Sequence, residues 1–270
     1  MRRIHEKPDF TPVAAGATAI AQLPLGLPLH AAFLYYTPSG SAANDGTIAA
    51  DIDRIRVKVN GQTKWEATGA QALDLSDFYG LSREAGIIPI YFSKPTMRTA
   101  IGEDALAWGT LGIQQLTVEV DIDGAATAPQ LDWYVWEGAP ADNRVFGAHY
   151  ELRQFTFNVG ATGEIRLQDL PPRGERRILA LHLGTASCTE AQLNVNDRVV
   201  FNATAAIAKQ MGHAAGRAWQ TGYFHIDMIP TDRIVDSLFW NAEATELILQ
   251  MGGTGNVTML AEVFEGKIPV

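Results

Sequence analysis

The chain has a single cysteine, Cys188, in 270 residues. That excludes an intrachain disulfide and every multi-cysteine metal centre. Long apolar runs are missing as well: no stretch approaches the ~18 residues of a membrane-spanning helix. The start, Met1-Arg2-Arg3 followed by Ile4-His5-Glu6-Lys7-Pro8-Asp9, holds no apolar stretch of signal-peptide length. A chain that is soluble, or that is assembled into something made in the cytoplasm, is therefore expected. Charge is sparse, at 19% of residues against 47% hydrophobic, where ~25% charged is usual for a globular domain. That balance points to extra surface buried between subunits. The charge present is mostly acidic, with Asp+Glu 30 against Lys+Arg 21 and a net of −9. A protein that wraps nucleic acid wants a basic face, so no direct nucleic-acid contact is expected.

Catalytic signatures are missing too. The histidines are His5, His30, His149, His182, His213 and His225, and none forms an H-E-x-x-H or H-x-H pair. A metal-binding cupin needs such a cluster. No G-x-S-x-G occurs, and Ser187-Cys188 has no adjacent base, so Cys188 reads as a small, half-buried residue. Gly252-Gly253-Thr254-Gly255 lacks dinucleotide-binding spacing and reads as a hairpin loop, while Gly266-Lys267 lacks the rest of a Walker A motif. His182 and His225 fall in strand-like runs, where a hydrogen-bonded structural role is expected. No enzyme is expected.

What the sequence does have is strand pattern. Residues 54–59, 116–122 and 154–159 alternate polar and apolar with period two. Further strand-sized runs are 17–23, 31–36, 87–93, 130–136, 164–168, 176–183, 191–195, 222–229, 245–251 and 256–264. Asn60-Gly61 between two runs marks a tight hairpin, because a type I′ turn needs positive φ at both central positions. Asn196-Asp197 is a weaker version of the same signal. Helical spacing covers 70–79 and 204–215, with one or two turns at 103–108 and 232–239. The chain is mainly β.

An internal repeat organises these segments. Gly16-Ala17-Thr18 through Leu23-Pro24 resembles Gly160-Ala161-Thr162 through Leu170-Pro171. Val59-Asn60-Gly61 through Thr68 resembles Val195-Asn196-Asp197 through Thr204 without a gap, and a helical stretch follows in both. Residues 101–108 match 234–240, and each leads into a strand, at 116–122 and 245–251. The same order with slowly drifting offsets is what two similar domains with unequal loops produce. The expected boundary lies in the turn-rich stretch Gly138-Ala139-Pro140-Ala141-Asp142-Asn143, giving domains 1–140 and 141–270. About eight short strands in each half suit a sandwich, and the jelly roll is the natural choice. The expected fold is all-β: two tandem eight-stranded jelly rolls with a few short helices.

Three features invite ligands. Asp121 and Asp123, and likewise Asp51 and Asp53, put two carboxylates on one side of an extended chain, where Ca²⁺ is conceivable and a solvated face is the plainer reading. Trp133-Tyr134-Val135-Trp136 carries large side chains on both faces, suited to a core and a neighbour, or to a carbohydrate platform. Arg2, Arg3 and Lys7 make a basic start that reads as a loose terminus or as a contact with anionic lipid.

The sequence also resembles the major capsid proteins of corticoviruses and related membrane-containing bacteriophages, in the double jelly-roll lineage that includes tectiviruses and adenoviruses. The likeness is carried by Val13-Ala14-Ala15-Gly16, Leu23-Pro24-Leu25-Gly26, Ile55-Arg56-Val57-Lys58-Val59-Asn60-Gly61 and Ala107-Trp108-Gly109-Thr110-Leu111-Gly112. It continues through Val120-Asp121-Ile122-Asp123-Gly124-Ala125-Ala126, Pro129-Gln130-Leu131, Asp169-Leu170-Pro171-Pro172 and the strand at 177–183. A longer loop at 38–51 departs from the pattern. The resemblance implies a non-enzymatic shell subunit of an icosahedral, internal-membrane-containing bacteriophage or provirus. It implies homotrimers that form pseudo-hexagonal tiles, with penton and minor capsid proteins as further partners. It implies residence in the virion shell after synthesis in the bacterial cytoplasm, and an association with calcium that favours Asp121 and Asp123. A tandem jelly-roll spike or a glycan-binding module is the alternative.

Overall fold

A computed structural model describes residues 3–97, 106–168, 176–239 and 245–266. Arg2, the first half of the expected helix at 103–108, the Asp169-Leu170-Pro171-Pro172 motif and Trp240 lie outside the described residues. The described chain forms two compact units. Residues up to Arg153, apart from Phe78–Gly80, make the first; Phe78–Gly80 and residues from Gln154 onward make the second.

The first unit contains β1 (Arg3–Glu6), β2 (Thr18–Gln22), β3 (Leu29–Tyr36), α1 (Asp45–Asp51), β4 (Ile52–Val59), β5 (Gln62–Ala67), α2 (Gly69–Phe78), β6 (Ile87–Tyr91), β7 (Leu116–Ile122) and β8 (Leu131–Glu137). Its strands form the orders β1-β8-β3-β6 and β5-β4-β7-β2. The second unit contains β10 (Gly163–Leu167), β11 (Arg176–Gly184), β12 (Cys188–Val195), β13 (Arg198–Thr204), α3 (Ala205–Ala214), β14 (Phe224–Asp227), β15 (Leu238–Phe239), β16 (Thr245–Met251) and β17 (Gly255–Glu265). Strand β9 (His149–Val159) leads from one unit into the other. The second unit's sheets read β14-β11-β17-β9 and β10-β16-β12-β13, with β15 beside β11.

Numbering the first unit's strands one to eight gives sheet orders 1-8-3-6 and 2-7-4-5. Numbering β9–β14, β16 and β17 the same way gives 1-8-3-6 and 2-7-4-5 again. This is the jelly-roll order twice over, and the repeated sequence segments fall on matching strands. Both hairpins behave as their sequences demand. Asn60 and Gly61 have φ of 48° and 81°, and Asn196 and Asp197 have 47° and 60°. Each turn thus holds two residues in the left-handed region that a type I′ hairpin requires.

Period-two alternation sets what is buried. In β8, Leu131, Trp133 and Val135 are buried while Asp132 and Tyr134 are exposed. Val57, Val118 and Val120 fill the first core with Trp65, Trp108 and Trp133. Leu181, Leu193, Phe224, Leu247, Leu249 and Met259 fill the second.

Two local expectations change. The stretch 38–51 is not only loop: it holds a 3-10 turn at Pro38–Gly40 and helix α1. The Asn44 side chain caps α1 by accepting from the Thr47 N–H at 2.9 Å, and Ile48 anchors it. The stretch 232–239 forms one 3-10 turn, Ile234–Asp236, and then strand β15. The compact units divide at Arg153. The turn-rich segment does not leave the first unit, because the Gly138 N–H donates to the Pro28 carbonyl at 2.8 Å and the Thr110 N–H donates to Asn143 Oδ1 at 2.9 Å. The start of β9 stays there too. The Trp108 indole donates to the Tyr150 carbonyl at 2.8 Å, and Leu152 lies opposite Trp65 in parallel register.

Candidate functional site

The acidic pairs come first. Asp121 sits on β7 beside β4, and the Arg56 guanidinium reaches both of its oxygens at 2.8 Å. The Thr18 hydroxyl donates to Oδ1 at 2.7 Å. Lys58 and Glu119 pair at 2.7 Å on the same two strands. Two cations therefore balance two anions across the β4–β7 ladder. Asp123 instead accepts the Ala125 N–H at 2.6 Å and shapes the turn after β7. Calcium wants six to eight oxygens, and a guanidinium on the carboxylate repels a second cation. As they stand, Asp121 and Asp123 do not fit calcium. No group of three ligating side chains among the described residues includes either one. Asp51, at the end of α1, accepts the Tyr36 hydroxyl at 2.8 Å, and burial and that carboxylate raise the phenol's pKa.

The basic start is also spoken for. Lys7 pairs with the buried carboxylate of Glu137, and Arg3 lies 3.5 Å from the same group. Trp133 is buried and donates its indole N–H to the Pro8 carbonyl at 2.8 Å, while Trp136 lies beside His30. Tyr134 is the one exposed aromatic of this strand, so the aromatic run builds no platform for a sugar ring. Cys188 is buried, and burial pushes its thiol up to about 11. A thiol so held is no nucleophile at neutral pH.

The structure assembles two buried polar clusters that no spacing in the sequence announced. In the first unit, Glu151 on β9 takes the Lys64 ammonium at 2.6 Å, His149 Nε2 at 2.9 Å and Arg153 Nε at 2.6 Å. In the second, Glu262 on β17 faces His182 on β11 at 2.8 Å and accepts the Tyr79 hydroxyl. His182 Nδ1 lies 2.7 Å from His225 Nδ1 on β14. His225 Nε2 is buried without a hydrogen-bond partner among the described residues. Phe78 lies 4.2 Å from this ring and Tyr223 stacks on it at 5.4 Å. Burial first, then neighbouring His182, lowers the His225 pKa to about 2.

Arg217 closes the cluster. It pairs with Asp227 at 2.8 Å and Asp232 at 2.7 Å, and its guanidinium lies 4.9 Å from the Tyr79 ring centre. Burial would lower its pKa, but Asp232 and Asp227 outweigh that and hold the charge in place. Every charge here has an internal partner, and His225 is held neutral. These are structural networks, joining residues 79, 182, 225 and 262 that lie far apart in the chain. The expectation of hydrogen-bonded histidines in strands holds for both His182 and His225.

Two jelly rolls of one topology, with polar groups spent on structure, define a double jelly-roll structural protein. Comparison with known proteins names the family. Residues 4–136 match the viral coat protein P2 N-terminal domain, and residues 150–267 match the viral coat protein P2 C-terminal domain. The major capsid protein P2 of Pseudoalteromonas phage PM2 is 24% identical over 192 residues, covering 68% of this chain and 66% of that protein. The crystal structure of the major capsid protein P2 from bacteriophage PM2 superposes with a TM-score of 0.89 at 19% identity, covering 98% of this chain and 97% of that one. The atomic structure of Sulfolobus Turreted Icosahedral Virus contains a chain matching at a TM-score of 0.70 and 10% identity, over 99% of this chain and 91% of that one. The chain belongs to the P2 family of viral coat proteins.

Proposed function

We propose that the chain is the major capsid subunit of a bacteriophage shell and works as a homotrimeric tile. One observation carries the trimer: a single chain holds two rolls of identical strand order. Three such chains around a threefold present six similar units, a pseudo-hexagonal outline that packs without gaps. Closed C3 symmetry demands a head-to-tail contact that completes itself after three copies. The sparse charge of the chain suits a protein whose outer faces are covered by neighbours. The shell would enclose a membrane, as the likeness to membrane-containing phages suggests. Lys7 is tied to Glu137 while the Arg3 side chain stays half exposed, so lipid contact through the basic start would use Arg3. Penton and minor proteins would complete the particle.

Solution mass tests this reading. Three chains of 29.3 kDa weigh roughly 88 kDa. Trimers, or larger bodies built of them, support the tile. A persistent monomer at micromolar concentration contradicts it. The same measurement with a calcium chelator is expected to give the same mass, since Asp121 is already neutralised by Arg56.

A further inference from the structure

Because the two rolls share one strand order, each element has a counterpart: β5 with β13, α2 with α3, and β1 with β9. The counterparts are not equally covered. In the first unit the outer edge of β5 is met by the start of β9, where Trp65 faces Leu152 in parallel register and Lys64 meets Glu151. Trp65 is 1% exposed, and Ala72, Leu73 and Leu75 of α2 are buried. In the second unit β13 ends its sheet among the described residues. Its Val199 and Val200 are 57% and 39% exposed, and Ile207 and Met211 of α3 are 55% and 49% exposed. Ile207 and Met211 stand one turn apart on one helix face. An apolar strand edge left open is a template for pairing and is normally covered.

The counterpart of the covering strand is itself open. β1 pairs with β8 on one side and ends its sheet on the other, and all four of its residues are exposed, with Ile4 at 62%. Among the described residues the β13–α3 face is thus open, and β1 is an unused copy of the strand type that meets the edge of β5. We propose that β1 of a second copy of this chain lies along β13 and shields the α3 face, as β9 lies along β5. The contact is strand addition at an edge. It is heterologous, so every copy both gives β1 and receives it, and three copies close the ring. The inference rests on the self-assembling coat reading above and adds which faces meet.

Two variants test it with the full chain. One carries Val199→Lys with Ile207→Lys, which spoils the receiving face; the other carries Ile4→Lys, which spoils the covering strand. All three side chains are exposed within the chain, so circular dichroism and unfolding should match the parent. Each variant alone is expected to run as a 29.3 kDa monomer, with association weakened about 100-fold or more, as charges in an apolar hot spot do. Mixed together, the two still share one intact contact and are expected to form dimers of roughly 59 kDa and no trimers. Should the double variant misfold, Ile207→Lys alone carries the same expectation. A face variant that keeps the parent's mass, or a mixture that stays monomeric, overturns this pairing while the trimer stands. A parent that is itself monomeric overturns the coat reading with it.

Discussion

Acidifying the solution from pH 7 to pH 5 is expected to destabilise the second unit through His225. An unfolded histidine takes a proton near 6.5, while the native ring resists protonation until about 2. The unfolded state therefore binds more protons throughout that window, and stability falls as pH falls through 6.5 toward 2. At pH 5, about 1.5 units below the ordinary value, the loss is about 2 kcal/mol. The structure explains why the native ring cannot take the proton. Phe78 and Tyr223 pack against it, its Nδ1 faces His182, and Glu262, the carboxylate that favours the proton, is engaged by His182 and Tyr79. Calorimetry at fixed protein concentration should show the midpoint dropping by roughly 4 °C from pH 7 to pH 5, if the chain unfolds as one body. A His225→Phe variant is less stable at pH 7, because it strands His182 Nδ1, but it should lose this part of the pH slope. The histidines outside this cluster are common to both proteins and cancel. Equal slopes in parent and variant would falsify the assignment of a neutral, trapped His225.

Other perturbations follow from single contacts. Arg217→Met leaves Asp227 and Asp232 facing each other without their cation, and equilibrium unfolding should show a loss of about 3–5 kcal/mol. Gly69→Ala at the start of α2 would bring a Cβ within 2.7 Å of the Ile48 carbonyl and 2.9 Å of Ile52 Cβ; a loss of about 1–3 kcal/mol is expected in the same assay. Cys188, buried with its thiol raised to about 11, should resist a thiol reagent at neutral pH until denaturant is added. Labelling of the native chain at the rate of a free thiol would contradict its placement in the core.

Strands that alternate were legible in the sequence because one face of each meets a core. The two hairpins were legible because Asn60-Gly61 and Asn196-Asp197 supply the backbone conformations a type I′ turn needs. The repeat showed through because its copies occupy matching strands of one topology. What escaped has physical causes. β1 is short and exposed on all four residues, so it leaves no pattern. Residues 149–152 at the start of β9 are buried without a break, so they show no alternation. α1 buries only Ile48 and shows no helical stripe. Asp121 and Asp123 looked alike as a spaced pair, yet one answers Arg56 across the sheet and the other its own turn. The Tyr79–His182–His225–Glu262 cluster is a product of topology, since no local spacing links strands β11, β14 and β17.

The most direct test of the capsid account is electron microscopy of the purified, assembled protein. The account predicts averaged views of a flat tile with six lobes in outline and threefold symmetry, of roughly 88 kDa, packing edge to edge into sheets or closed shells. Lone two-lobed particles, with no ring at any concentration tested, would contradict it.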